Sequence, residues 1–524
     1  MKLKRWMGLG FSALTLALAA QSAQAQEHGG TLKMIIQPEP PILVTALNQQ
    51  APTQYVAGKI YESLLTYDHD LQPQPGLAES WDISDDGLTY TFNLHEGVTW
   101  HDGEPFSADD VVFSMNDMLP EVHARARVIL DKYLDKAEKV DDHTVRMTLK
   151  EPFPAFIIMF EPGFAPMMPK HIYEDTDYQK NPANQDPVGT GPFKLKEWKR
   201  GEYIKLERNS DYWVEDQPYL DELIFNVIPD SASRAVAFEQ GTVDVLRGGD
   251  VDNVDIKRLR DLPNVEYSTK GWEMFSPQAY LIMNMRQPPF DDLKVRQAVM
   301  AAINRELMIN NIFFGLGTPS TGPFVATEMF YDDDVPAIEY DMDKARELIE
   351  ESGIDPSEHT IRHLSFPYGA TWERVDELTK QALQQLGFEV DLQSTDAGGW
   401  ASRTGNWDFD ITTTYAYQYG DPALGVERLY IEDNNVKGSP FANVQGYVNP
   451  DLDKVWQKAA SSTDEDERQE LYTDIQRKLV EDMAQGYLVD MEFPTLWRSN
   501  IHNLVQTAIG LNESFADVYI DQDD

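Results

Sequence analysis

Residues 77–113 read LAESWDISDDGLTYTFNLHEGVTWHDGEPFSADDVVF and decide the fold more than any other stretch of the chain. Between Trp81 and Leu94, apolar and polar residues alternate on either side of Asp85-Asp86-Gly87, which predicts a β-hairpin with a tight turn. Ser107 then precedes an apolar helical stripe and is followed three residues later by an acid, the pattern of a helix N-cap. The stretch therefore predicts two paired strands followed by a helix.

Strands and helices alternate along the rest of the chain without an internal repeat. No long Gly/Ser-rich or low-complexity segment separates domains, so we expect lobes joined by crossing strands rather than independent modules. The fold class that this order predicts is α/β. The predicted strands include 31–36, 203–207 and 222–228, and the predicted helices include 54–64, 293–304, 372–386 and 464–482.

The 524 residues include 88 acidic and 44 basic side chains, a formal charge of −44, and no cysteine. The missing cysteine excludes disulfides, cysteine-bound zinc, iron–sulfur clusters and thiol nucleophiles. Nucleic acids and anionic membrane surfaces both require a basic face, so neither is an expected partner. Because the acids stand mostly at helix starts and turns, we interpret them as a solvated, halophilic surface suited to saline surroundings.

Residues 1–25 have the three parts of a secretory signal peptide. A basic start at Lys2, Lys4 and Arg5 precedes an apolar stretch, and Ala23 and Ala25 give the small-residue cleavage pattern. The alternative, a membrane anchor, is disfavoured because the apolar stretch is short for a bilayer span. We therefore expect an exported, soluble periplasmic protein that is cleaved after about Ala25.

Motifs for catalysis and for cofactors are absent or incomplete. The Gly-x-Gly pairs at 189–191 and 315–317 lack the third glycine of a phosphate-binding loop and are interpreted as turns. The alternation around His359 and His363 predicts a strand, on which the two imidazoles stand too far apart to share a metal. The acidic run 332–334 lacks the spaced ligands of a calcium loop. We therefore expect no enzyme, no metal and no cofactor; a secreted hydrolase that uses carboxylates is the alternative.

Several motifs, taken in order, resemble those of the extracellular solute-binding proteins of family 5, the periplasmic dipeptide- and oligopeptide-binding components of ABC importers. The resemblance spans the whole chain after residue 25. Its motifs are the stretch 77–113 quoted above, GTGPF at 189–193, RNSDYW at 208–213, PFDDLKVRQAV at 289–299 and YVNPDLD at 447–453.

This resemblance implies a two-lobed periplasmic-binding-protein clamp, which closes about a hinge on a small-molecule ligand and delivers it to an ABC permease in the inner membrane. It also implies an additional family-specific domain that stands away from the ligand. We expect a monomer that binds a peptide or a peptide-like solute. The implied boundaries are 27–64, 187–275 and 489–524 for lobe I, 65–186 for the extra domain, and 276–488 for lobe II.

Residues 411–422, ITTTYAYQYGDP, are the strongest candidate for ligand contact. Their period of two places Tyr415, Tyr417 and Tyr419 on one face of a strand. By itself this pattern favours a core strand, whereas the resemblance implies that the strand pairs with the backbone of a bound peptide. Tyrosines also suit a pocket, because each offers a large contact area and a hydroxyl group.

Two charged ligand anchors of the peptide-binding relatives are missing from this sequence. Where the resemblance implies an aspartate for the peptide ammonium, the chain has Gln418, although Asp421 could substitute if the loop is shifted. Where it implies an arginine before a Pro-Tyr step, Phe366 precedes Pro367 and Tyr368. Without these anchors a zwitterionic dipeptide loses its charge-assisted hydrogen bonds. An opine, an amino-acid conjugate, an oligosaccharide or a metal chelate is therefore the alternative ligand.

Five further residues are candidate ligand contacts, although packing or a solvated turn explains each of them equally well. Trp272 and Phe275 precede a predicted strand near the expected lobe crossing. Trp400 follows two glycines on a predicted mobile loop, and Arg403 is the basic residue nearest to that loop. Glu39 lies in the loop after the first strand.

Overall fold

The computed structural model describes residues 28–521, and the expected signal peptide lies outside that range. No helix within the range is long and apolar enough to cross a bilayer. Three regions of the chain fold around β-sheets of their own. We call them lobe I, the extra domain and lobe II, following the sequence prediction.

Lobe I contains a four-stranded sheet and a three-stranded sheet. In the first, Thr31–Ile36 pairs in parallel with Glu222–Val227, and the other pairs are antiparallel. The order of the first sheet is Thr31–Ile36, Glu222–Val227, Tyr203–Arg208 and Phe193–Lys199; the order of the second is Val245–Leu246, Thr495–Arg498 and Val265–Ser268. Its helices are Ala51–Ala57, Ser231–Glu239 and Asn253–Arg260, and Ile501–His502 forms a short pair with Tyr519–Ile520.

The extra domain begins with a short strand pair, Leu65–Tyr67 with Pro73–Pro75, and continues with the stretch that opened the sequence analysis. The predicted hairpin is present as Ala78–Ile83 paired with Thr89–Leu94, and Gly87 has the left-handed φ of +66° that its turn requires. The predicted cap is also present: Ser107 accepts a hydrogen bond from the Asp109 amide, and the Asp110 carboxylate accepts one from the Ser107 amide. The sheet continues with Thr144–Leu149 and Leu134–Asp141, and the α-helices are Ala108–Phe113, Leu119–Val122, Ala124–Tyr133 and Lys170–Tyr173.

Lobe II is built on a six-stranded mixed sheet. Thr360–Leu364 lies parallel to both of its neighbours, and the helices Ala370–Gln385 and Ala397–Gly405 make the crossovers that parallel strands need. The strand order is Gly317–Pro319, Gly486–Met491, Gln278–Met283, Ile411–Ala416, Thr360–Leu364 and Glu389–Gln393. The remaining helices are Leu293–Ala302, Arg305–Asn311, Met342–Ser352, Pro422–Gly425, Pro450–Ser461 and Glu465–Glu481.

The chain passes between the lobes twice within the described residues. The first crossing, 269–277, joins Val265–Ser268 of lobe I to Gln278–Met283 of lobe II. The second, 492–494, joins Gly486–Met491 back to Thr495–Arg498. Because a strand of lobe II continues to Met491, we place the last boundary there rather than between 488 and 489. Each of the other sheets lies within a single expected lobe or domain. The division of the chain into these three parts stays a proposal.

The predicted helix 54–64 is wrong in its extent, since the helix ends at Ala57. Beyond it, the carbonyls of Lys59 and Ile60 accept hydrogen bonds from the amides of Phe193 and Gly191 instead of continuing a helical ladder. Gly58 packs so closely against the backbone of Asn512 that a β-carbon would collide with it. Contacts from distant parts of the chain therefore override the local helical pattern.

Candidate ligand-binding site

The tyrosine segment lies at the end of a buried strand. Tyr415 belongs to Ile411–Ala416, whereas Tyr417 and Tyr419 follow it, so the prediction of one continuous strand face is wrong beyond Ala416. Tyr419 has a φ of +60°, which breaks the alternation. The rings nevertheless stay together, with centroid distances of 5.7 Å from Tyr415 to Tyr417 and 6.1 Å from Tyr417 to Tyr419.

Aromatic side chains from both crossings join the tyrosines. Phe275 of the first crossing lies 5.5 Å from Tyr417, and Trp272 lies 4.9 Å from Phe493 of the second crossing. Phe493 in turn lies 6.2 Å from Tyr415. We call these six rings the crossover cluster: Trp272, Phe275, Tyr415, Tyr417, Tyr419 and Phe493. The cluster stands where a hinge motion would open or close the space between the lobes.

The extra domain also reaches the tyrosine segment. The Arg125 guanidinium lies 4.1 Å from the centre of the Tyr419 ring, in cation–π geometry. The sequence resemblance implied that this domain stands away from the ligand. In the structure it packs against one end of the crossover cluster and supports the loop that carries Tyr419.

Arg247 of lobe I is a second basic residue beside the cluster, because the residue that follows it, Gly248, packs against Phe493. Its guanidinium lies 4.7 Å from the centre of the Tyr55 ring, and its Nε is buried without a hydrogen-bond partner. Within residues 28–521 its side chain forms no ion pair, and the nearby Asp250 carboxylate accepts a hydrogen bond from the Arg247 backbone amide. Burial raises the pKa of Tyr417, and the positive charge of Arg247 opposes that shift.

The loop that carries Arg247 is held against the second crossing. Gly248 packs so tightly against Phe493 that a β-carbon at this position would clash. Burial raises the pKa of Asp250 to about 6, and the nearby Arg247 charge opposes the rise. An arginine with free donors in a partly buried site is well suited to receive a carboxylate.

The sequence analysis did not predict Arg247 as a ligand contact. The sequence feature that could have indicated it is a basic residue between an apolar strand and the Gly-Gly-Asp turn at 248–250.

Gln418 serves as a link between loops of lobe II. Its Oε1 accepts a hydrogen bond from the Val325 amide at 3.0 Å, and its Nε2 donates one to the Pro323 carbonyl at 2.8 Å. Its own backbone amide donates to the Phe275 carbonyl of the first crossing. The side chain therefore fixes the segment 323–325 beside the crossover cluster.

Asp421 is occupied by partners within the chain. Its Oδ1 accepts from the Ala423 amide and starts the short helix Pro422–Gly425, and its Oδ2 pairs with Arg468 at 2.8 Å. Both side chains of this ion pair are buried. A ligand ammonium at Asp421 would have to displace Arg468, so we remove Asp421 from the candidate ligand contacts.

Breaking this ion pair should destabilise the protein strongly. We expect Arg468→Met to lower the free energy of unfolding by about 3–5 kcal/mol, because it leaves the Asp421 carboxylate buried and unpaired. Arg477→Met on the same helix is the matched control: its pair with Asp332 is exposed on the arginine side and contributes about 1 kcal/mol or less. Urea unfolding followed by circular dichroism measures both, and equal losses would contradict the structural role of Arg468.

The aromatic residues near 366 and 400 form part of the lobe II core. Trp400 is 2% exposed, and its Nε1 donates to the Thr412 hydroxyl at 2.9 Å. The predicted mobile loop around it is wrong, because Asp396 caps a helix, Ala397–Gly405, that carries Trp400 inward. Phe366 packs against Trp400 at 5.1 Å and reaches Tyr415 at 6.0 Å, while the exposed Tyr368 stacks on Phe366.

Arg403 and Glu39 are hydrogen-bonded to groups of their own lobes. Arg403 donates to the Asp408 carboxylate and to the Gln393 side chain at the edge of the lobe II sheet. Glu39 accepts hydrogen bonds from the Trp198 indole at 2.7 Å and from the Gly201 amide at 3.0 Å. Among the twelve predicted contacts, the structure therefore brings together the tyrosines, Trp272 and Phe275, with Phe366 behind them.

The histidine and aspartate clusters of the sequence show no arrangement for chemistry. The predicted strand around His363 is present, and its buried imidazole faces the Asp376 carboxylate at 3.1 Å. Asp332, Asp333 and Asp334 do stand close together, but Asp332 already pairs with Arg477. We assign neither group to the ligand site.

Comparison with known proteins places this architecture in a family. Residues 72–436 match the bacterial extracellular solute-binding proteins, family 5 Middle. A glutathione-binding protein GsiB from Pectobacterium atrosepticum is 32% identical over 461 residues, which cover 83% of this chain and 84% of that one. Di/tripeptide-binding protein 1 from Pseudomonas aeruginosa is 30% identical over 85% of this chain and 86% of its own.

Solved structures have the same fold. The periplasmic binding protein DppA from Helicobacter pylori in complex with the peptide STSA superimposes with a TM-score of 0.81 at 25% identity, covering 95% of this chain and 99% of its own. The oligopeptide-binding protein AppA from Bacillus subtilis in complex with a nonapeptide gives a TM-score of 0.80 at 25% identity, covering 95% of this chain and 100% of its own.

The hinged lobes and the aromatic crossing define a solute-binding protein of the ABC-importer class. The chain belongs to the bacterial extracellular solute-binding proteins, family 5. The resemblance inferred from its sequence motifs and the predicted two-lobed α/β fold are both confirmed.

Proposed function

We propose that this protein is the peptide receptor of an ABC importer, and that it encloses a small peptide between lobe I and lobe II. The observation that carries the proposal is the Arg247 side chain, which has no ion pair within residues 28–521 and directly precedes Gly248, the glycine packed against Phe493 of the crossover cluster. Two relatives support the ligand class, since one is named for glutathione and the other for di- and tripeptides.

In this proposal each part of the site receives a different part of the peptide. Arg247 receives the terminal carboxylate through charge-assisted hydrogen bonds. The rings of Tyr417, Phe275 and Phe493 supply stiff apolar surface for side chains, with a hydroxyl group on Tyr417 for polar contacts. Ligand contacts from both lobes favour the closed arrangement, which is the state that an importer has to recognise.

The sequence supports proposals about the compartment and the partner of this receptor. We propose that residues 1–25 direct export to the periplasm, where the receptor acts as a monomer and hands its ligand to an inner-membrane permease. Its net charge of −44 keeps the protein hydrated and repels neighbouring copies in a saline medium. We also propose that the bound solute leaves unchanged, without any enzymatic step.

A thermal-shift titration with alanine dipeptide, alanine tripeptide and glutathione tests the proposal. We expect the unfolding temperature to rise with ligand concentration, because a ligand at about 100 times its Kd stabilises the folded state by about 2.7 kcal/mol. Chromatography of the ligand afterwards should recover it intact, which separates a receptor from a hydrolase. Stabilisation by a disaccharide but by no peptide would contradict the proposal.

A further inference from the structure

One segment of lobe II runs along the lobe crossing and is fixed there by side chains. Gln278 donates from its Nε2 to the Ser320 hydroxyl at 2.7 Å, and Gln418 holds Pro323 and Val325 as described above. The Thr327 hydroxyl lies 2.8 Å from the hydroxyl of Ser276, the residue after Phe275 of the crossover cluster. Together these hydrogen bonds position the next residue, Glu328, at the boundary between the two lobes.

The Glu328 carboxylate has no partner among the described residues. The side chain is 5% exposed, and both of its oxygens are buried without a hydrogen bond. Its backbone amide donates to the Val325 carbonyl, which fixes the turn that carries it. Met329, the following residue, packs against the hydrophobic cores on both sides of the crossing.

Burial and the neighbouring negative charge both raise the free energy of an ionised Glu328 side chain. Burial raises the pKa of Glu328 well above its ordinary value, and the negative charge of Asp421 raises it further. Arg468 is already paired with Asp421, and Glu328 forms no salt bridge within residues 28–521. Without a counter-ion the buried side chain favours its neutral, protonated form, and a cation that arrives from outside the chain would stabilise the ionised form.

We propose that Glu328 receives the ammonium group of the bound peptide. The inference rests on the proposed function and specifies it: the ligand is a small peptide with a free amino terminus as well as a free carboxylate. A primary ammonium suits the position because it provides three donors for a carboxylate that offers two unoccupied oxygens. Gln418 is neutral and its amide is already used, whereas Glu328 has both carboxylate oxygens buried without a hydrogen-bond partner in the described part of the chain.

The test compares an alanine tripeptide with its N-acetyl derivative, by calorimetry, on the wild-type protein and on Glu328→Gln. We expect acetylation to weaken binding to the wild type about a hundredfold, as loss of a buried charge pair does. Glu328→Gln should bind the free tripeptide about a hundredfold more weakly, yet bind the acetylated one within a few-fold of the wild type. Asp334→Asn, an exposed acid in the same loop, is the control and should behave like the wild type in both titrations.

Three results bear on the inference separately from the proposed function. If the wild type binds both tripeptides within about threefold of each other, the ammonium contact is contradicted without reference to any variant. If Glu328→Gln keeps wild-type affinity for the free tripeptide, or weakens both tripeptides equally, Glu328 is not the anchor. If the wild type binds no peptide at all, the proposed function itself fails.

Discussion

Replacing Arg247 with glutamine is expected to weaken peptide binding about a hundredfold while leaving the fold intact. The guanidinium has no ion pair to lose in the described part of the chain, so the folded protein gives up little more than its cation–π contact with Tyr55. The ligand carboxylate, in contrast, loses its buried cationic partner, which costs about 3 kcal/mol. Calorimetric titration with the alanine tripeptide measures the change.

The control for this variant comes from the same lobe. Arg258→Gln removes an equal charge from the helix Asn253–Arg260, where the arginine pairs with Glu239 and Asp255 at the surface, and it should leave affinity unchanged. The C-terminal amide of the tripeptide should bind the wild type and Arg247→Gln with similar, weak affinity. If Arg247→Gln binds the free tripeptide as well as Arg258→Gln does, the carboxylate assignment is wrong.

Trp400→Ala is expected to lower the free energy of unfolding by about 3–5 kcal/mol. The indole is almost fully buried, packs against Phe366 and donates a hydrogen bond to Thr412, so its removal leaves a cavity and costs the Thr412 hydroxyl one of its hydrogen bonds. Denaturant unfolding followed by circular dichroism measures the loss.

Tyr368→Ala is the matched control for Trp400. Tyr368 also belongs to this aromatic group, but it is 55% exposed, and we expect its replacement to cost about 1 kcal/mol or less. A Trp400→Ala protein with unchanged unfolding and weakened ligand binding would contradict the core assignment. That outcome would instead support the sequence-based prediction that Trp400 contacts the ligand.

Local signals in the sequence predicted the local structure well. The Ser107 cap and the hairpin around Gly87 depend on neighbours within a few residues, and both appear as expected. Gly353, with a φ of +73°, likewise ends the helix Met342–Ser352 through its own backbone conformation. Features of this kind need no knowledge of the rest of the chain.

The ligand site could not be predicted in the same way, because its parts meet only after folding. The tyrosine pattern pointed to the right segment, but the left-handed turn at Tyr419 and the pairing of Asp421 with Arg468 depend on distant contacts. Arg247 and Glu328 stand out because polar atoms of their side chains are buried without a hydrogen-bond partner. In a chain with 88 acidic residues, that property is invisible until every neighbour is known.

Native mass spectrometry of the whole protein in an equimolar mixture of ligands tests the central claim most directly. The mixture contains an alanine tripeptide, its C-terminal amide, a disaccharide and a nickel–histidine chelate. A peptide receptor whose cleft carries an unpaired Arg247 should show the mass of the free tripeptide as the dominant complex. Dominance of the disaccharide or of the chelate, or equal occupancy by the tripeptide and its amide, would contradict the account.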